Sequence, residues 1–235
     1  MSDSHATTIE NAAPDPHLRH HFADMEQQKN TASLGMWLFL VTEIMFFGGL
    51  FCAYLIYRLL YFPAFGAASQ TLDIKLGAFN TAVLLISSVT VVLAVRAAQD
   101  GNRKQLVAYL VLTVLLGLTF LGVKAIEYKE KFETHHVPGP TFHFDKPFDD
   151  NGKEIPVDPR HAQLFFSLYF AMTGMHTLHM VLGCGLFTVL TVLAWKGHYS
   201  PGYYTPIENA GLYWHLVDII WIYLFPLLYL ISRHS

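Results

Sequence analysis

Residues 34–59 read LGMWLFLVTEIMFFGGLFCAYLIYRL, with Glu43 the only acidic or basic side chain before Arg58. At about 1.5 Å of rise per helical residue, a run of this length crosses a hydrocarbon layer of about 30 Å, so it predicts a membrane-spanning helix. Its neighbours repeat the pattern. Residues 78–95 (AFNTAVLLISSVTVVLAV) and 106–123 (LVAYLVLTVLLGLTFLGV) are uncharged and flank RAAQDGNRKQ, whose Asp100, Gly101 and Asn102 suit a short reversal. These two runs predict a helical hairpin. Residues 164–195 hold no Asp, Glu, Lys or Arg and exceed what one perpendicular crossing needs, which predicts a single tilted helix. The run 212–232 contains His215, Asp218 and Pro226, and the proline should free a carbonyl one turn earlier and bend the helix.

The expected fold is all-α, a polytopic membrane bundle of five transmembrane helices, over roughly 34–59, 76–96, 105–126, 162–195 and 211–232. A polar N-terminal tail, 1–33, precedes it and has no apolar core of the kind a signal peptide requires. The one sizeable extramembrane segment, 127–161, is rich in proline and carries His135, His136, His143 and His161. Composition agrees: 53% of the 235 residues are hydrophobic and 14% charged, too apolar for disorder or an ordinary soluble domain. A formal net charge of -3 offers no basic excess, so nucleic acid is not an expected partner. Cys52 and Cys184 lie far apart inside apolar runs, which suits neither a disulfide framework nor a zinc site.

Charge gives a divided signal on orientation. With the N-terminus cytoplasmic, the inner segments hold six Lys and Arg and the outer segments nine, six of those nine between Lys124 and Arg160 among many acids. The compact 96–104 turn, with three basic residues, is the cleaner local signal and favours the N-terminus inside.

A carboxylate at the centre of a lipid-crossing helix costs about 2.5–3.5 kcal/mol on insertion scales, so Glu43 calls for a partner or for neutralisation. It stands about 14 Å along the axis from Leu34, between Phe39, Phe46 and Phe47. Such a group could hold or pass a proton, or tie helices together by a hydrogen bond. In the last run Trp214, Asp218, Trp221 and Phe225 share one helix face, and His215 neighbours Asp218 at i, i+3. The pair reads either as a His held in a fixed tautomer or as an interhelical hydrogen-bonding pair flanked by interfacial aromatics. The first and fifth runs cross in the same direction, so Glu43 and Asp218 could belong to one polar layer. In the fourth run Met172, His176, His179 and Gly183 form a stripe. Two imidazoles there could bind metal or haem, but the ligands needed opposite are missing apart from His215, so packing histidines are the simpler reading. Glu127 and Lys131, at i, i+4, read as a solvated ion pair.

Five stretches together resemble the subunit III family of haem-copper respiratory oxidases: LGMWLFLVTEIMFFGGLF around Glu43, FNTAVLL, KAIEY, TGMHTLHMVLG and ENAGLYWHLVDIIWIYLF. The tail segment HHFADMEQQ is similar to bacterial members. The resemblance implies a cytochrome c oxidase-type subunit with no haem, copper or other metal of its own and no catalytic residues. It would dock beside subunits I and II, the haem and copper lying in those partners. It implies a proton-uptake role for Glu43 and a polar layer or phospholipid-binding role for His176, His179, His215, Asp218 and Trp214. Nothing corresponds to the first two helices of the seven-span form. Quinol oxidase subunits and an accessory protein of nitric oxide reductase are the related alternatives, and a membrane haem protein or a proton-coupled transporter would be readings of another class. The resemblance places the chain in the bacterial inner membrane, N-terminus cytoplasmic and C-terminus outside, with the 127–161 segment on the electron-donor side, where cytochrome c or another respiratory complex could touch it.

Overall fold

The computed structural model describes residues 18–134, 136–139, 142, 144 and 158–230. The elements are α1 (Met25–Leu60), α2 (Phe62–Gln70), α3 (Ile74–Gln99), α4 (Arg103–Glu133), α5 (Pro159–Trp195) and α6 (Thr205–Phe225), the last continued by a π-turn, Pro226–Leu230. Five are long and apolar enough to cross a membrane: α1, α3, α4, α5, and α6 with its π-turn. The all-α membrane bundle expected from the sequence is the architecture found, with no strand named among the described residues.

The helices extend beyond the apolar runs because polar residues cap them outside the hydrocarbon zone. The Asp24 carboxylate accepts the Gln27 N–H at 2.7 Å, so α1 begins at Met25 and draws part of the expected tail into the helix. Asn102 caps α4 in the same way, after a reversal in which Gly101 takes a φ of 69°. The α3–α4 hairpin is as expected. The short α2 is not, because its FPAFGAASQ sequence is too brief to show a period; Pro63 sets its first turn, and Ala64, Phe65, Ala67 and Ala68 bury against α5 and neighbouring elements.

Helix α6 is the centre of the bundle, packed on α1, α3 and α5, while α4 bridges α3 and α5 and α1 lies at the edge against α5 and α6. Small residues set these distances. A Cβ on Gly117 would stand 2.9 Å from the Trp214 ring and 2.7 Å from Cys184 Sγ, and one on Gly183 would stand 2.9 Å from the same indole. The two glycines make the slot that Trp214 fills. At Pro226, which has no N–H to give, the backbone widens into the π-turn rather than simply bending. The Tyr54 hydroxyl donates to the Leu227 carbonyl at 3.0 Å and fastens that turn to α1. Hydroxyls along the spans find partners locally, as Thr177, Thr188 and Thr191 each donate to the carbonyl four residues back. The outer faces carry exposed Leu, Val, Ile and Met, among them Leu38, Met45, Val89 and Leu182, the surface a lipid or apolar partner covers.

Candidate functional site

The exposed edge helix α1 carries Glu43 to the α1–α5 seam, where its Oε2 lies 3.1 Å from His179 Nε2. The other ring nitrogen, Nδ1, is 2.8 Å from the Met175 carbonyl oxygen, one turn back on α5. A carbonyl only accepts, so Nδ1 carries a hydrogen. That leaves Nε2 as the nitrogen that faces Glu43, at a distance one hydrogen bond spans. The Tyr213 hydroxyl donates to the His179 carbonyl at 2.8 Å, and Phe47 meets the imidazole edge-on at 5.5 Å between centroids. Side-chain exposures of 19% for Glu43 and 12% for His179 leave this pair open on one side. Sequence spacing put both residues in the membrane but grouped His179 with packing histidines; the partner of Glu43 lies on another helix, which no local spacing reveals.

Glu43 and Asp218 are not paired. Asp218 is buried and faces Ser88 on α3, yet neither of its oxygens closes a hydrogen bond among the described residues. His215 does not hold Asp218 either; its Nδ1 is 2.8 Å from Ser88 Oγ. His176 is fully buried, with no hydrogen bond on either nitrogen among the described residues, tilted against Trp221 and edge-on to Phe120. Trp214 and Trp221, expected as interfacial aromatics, are instead fully enclosed, because α6 is central rather than peripheral; their Nε1–H groups donate to Ser87 at 3.0 Å and Thr81 at 3.1 Å.

One cluster escaped the sequence reading. Glu127 does not form a solvated pair with Lys131. It is 1% exposed and takes Lys124 Nζ at 3.0 Å on Oε2, while the Tyr169 hydroxyl (2.6 Å) and the Tyr229 hydroxyl donate to Oε1. Lys124 also reaches Tyr229 at 3.2 Å and lies 5.0 Å over the Trp221 ring. Lys131 donates instead to the Thr71 carbonyl at 2.7 Å. The reason is that α4 runs on beneath α2, α5 and the π-turn, which cover this face. The four residues join α4, α5 and the C-terminal turn through one filled set of donors and acceptors.

At the end of the bundle where α1 and α6 start and α3 ends, a groove of roughly 740 Å³ leads inward. Lys29, Arg96, Asp100 and Glu208 stand among its polar lining, Trp37, Val92 and Leu212 among its apolar lining, and His215 also lines it. Among the described residues no three His, Cys, Asp or Glu side chains gather where one metal ion could be held.

Comparison with known proteins matches this sequence to a family. The family model described as Cytochrome c oxidase subunit III matches residues 19–149 and 161–233. The chain is 33% identical over 201 residues to a protein of Gallus gallus named cytochrome c oxidase subunit 3, covering 83% of this chain and 67% of that one. Similarly named proteins of Danio rerio and Papio hamadryas are 32% and 30% identical over the same coverage. With both the membrane bundle and these matches in hand, the chain belongs to the cytochrome c oxidase subunit III family of the haem-copper oxidases.

Proposed function

We propose that this chain is a non-redox subunit of a proton-translocating terminal oxidase of the cytochrome c oxidase type, which helps sustain proton supply to the catalytic subunit and lengthens its active life. The chain itself catalyses no electron transfer; haem and copper lie in the neighbouring subunits I and II. The observation that carries the reading is the Glu43–His179 pair, which is partly open and set near the middle of a membrane helix. A carboxyl group that faces an imidazole nitrogen at hydrogen-bond distance is suited to hold a proton for a neighbour. The groove lined by Lys29, Arg96 and His215 suits a phospholipid, with cations and carboxylates at its mouth for the headgroup and Trp37 and Leu212 along the chain. The membrane is the bacterial inner membrane, with the N-terminus cytoplasmic, the C-terminus outside and Glu43 supplied from the cytoplasmic side.

The test is Glu43→Gln in the assembled oxidase. Glutamine keeps a hydrogen-bond donor toward His179 Nε2, so the subunit assembles, but it cannot exchange a proton. Turnover slows or inactivation quickens as pH rises and protons become scarce. Equal turnover and lifetime for variant and parent across the pH range would falsify the role. The 127–161 segment is read as a contact for cytochrome c or another partner; deleting 138–158 weakens donor affinity or assembly if so, and unchanged values of both remove that part of the proposal.

A further inference from the structure

Arg58 closes the last turn of α1 and is only 7% exposed. Among the described residues it has no carboxylate partner; Nη1 is enclosed without a hydrogen-bond partner, and the guanidinium lies 5.7 Å from the Phe62 ring. The Tyr54 hydroxyl donates to the Leu227 carbonyl, and its oxygen takes one guanidinium N–H of Arg58. A guanidinium offers five N–H donors and stays charged, so leaving Nη1 unpaired under cover, with no counter-charge beside it among the described residues, is an unfavourable arrangement. The other enclosed Lys and Arg side chains among the described residues are satisfied: Lys124 has a carboxylate and Lys131 a carbonyl.

We propose that Arg58 anchors a phosphate-binding site, occupied by the headgroup of a phospholipid in the leaflet at the C-terminal end of α1. Depth selects this occupant. The uncharged side of α1 is centred near residues 45–46, and Arg58 lies about 19 Å further along the axis, just past a hydrocarbon half-thickness of about 15 Å and within the headgroup zone. The surroundings have the matching order. Leu55, Leu59 and Phe62 are exposed beside the site and offer a wall for an acyl chain, while Tyr57 and Tyr61 stack at 6.4 Å in the manner of an interfacial aromatic belt. Phosphate oxygens accept the paired N–H groups of a guanidinium edge, which a lysine in this place would not match. The site is at the opposite end of α1 from the groove near Lys29 and does not depend on the proton-holding role of Glu43.

The test uses the assembled oxidase, stripped of lipid in detergent, as parent, Arg58→Met and Arg58→Lys. Phosphatidylglycerol, diacylglycerol with the same acyl chains, and inorganic phosphate are added separately, and thermal unfolding and native mass spectrometry are read. Phosphatidylglycerol raises the parent's unfolding midpoint and leaves one more bound phospholipid per chain than in Arg58→Met, whose apparent affinity falls at least tenfold; diacylglycerol does neither. Arg58→Met removes an unpaired buried charge and fills the same space, so it folds; should it fail to accumulate, reduced lipid retention by Arg58→Lys supports the site and parental retention overturns it. Parental lipid retention by Arg58→Met overturns the proposal. So does a response to inorganic phosphate with no lipid retained, and so does loss of a partner subunit at unchanged lipid content, which would assign Arg58 to a carboxylate of that subunit.

Discussion

What Glu43 faces depends on a hydrogen bond made on the far side of the imidazole. The Met175 carbonyl fixes the hydrogen on Nδ1 of His179, and that choice makes Nε2 a true partner for Glu43 rather than a bystander. Sequence gave notice of the acid, because a lone Glu among phenylalanines is costly, but gave no direction to its partner. The same limit explains Glu127. An i, i+4 rule selects Lys131, whereas the enclosed geometry selects Lys124 at i, i+3 and two phenols from residues 42 and 102 positions away. Lys124→Met alone leaves a carboxylate under cover and should cost about 3–5 kcal/mol of stability, and Lys124→Met with Glu127→Leu should recover much of it. Unfolding of the purified oxidase in denaturant measures both. If the single change costs no more than a surface substitution, the cluster does not bind the helices together.

Helices, by contrast, were largely legible, because charge-free runs of sufficient length have one solution in lipid. What the runs did not show was which helix would be central. That follows from packing: α6 brings Trp214 and Trp221 inward, and glycines on α4 and α5 leave the room for Trp214. Pro226 was visible as a break, but its outcome as a π-turn depends on Tyr54 on α1 holding the Leu227 carbonyl and on Tyr229, within the turn, reaching Glu127 on α4. The α2 helix was missed because a nine-residue segment of small residues has no period to read. The Trp214 slot makes an element-level prediction. Gly183→Ala pushes α5 away from α6 and should lower stability by about 1–3 kcal/mol, whereas Gly185→Ala, which meets nothing within 4 Å, should be near neutral. Equal thermal midpoints for the two variants would show that the helices are not held by this contact.

At the scale of the whole molecule, one end of the bundle gathers the start of α1, the α3–α4 turn, the α5–α6 connection and the mouth of the groove above His215. The opposite end gathers α2, the start of α5, the π-turn and Arg58. A subunit that aids proton supply is useful only if the first end faces the side from which protons are taken. Charge alone divided on this point, since the six inner and nine outer Lys and Arg oppose the placement that the 96–104 turn favours. Function and topology are therefore linked through one measurement. With the exposed Cys52 replaced by Ser and the buried Cys184 kept as the unreactive background, a cysteine added at Asn102 or at Gly139 is exposed to a maleimide that cannot cross membranes. In intact cells Gly139→Cys should react and Asn102→Cys should react only after lysis. The reverse pattern would set the groove and the inner end of α1 against the outer phase, and a proton-supplying role for Glu43 would then have no source on its own side to draw from.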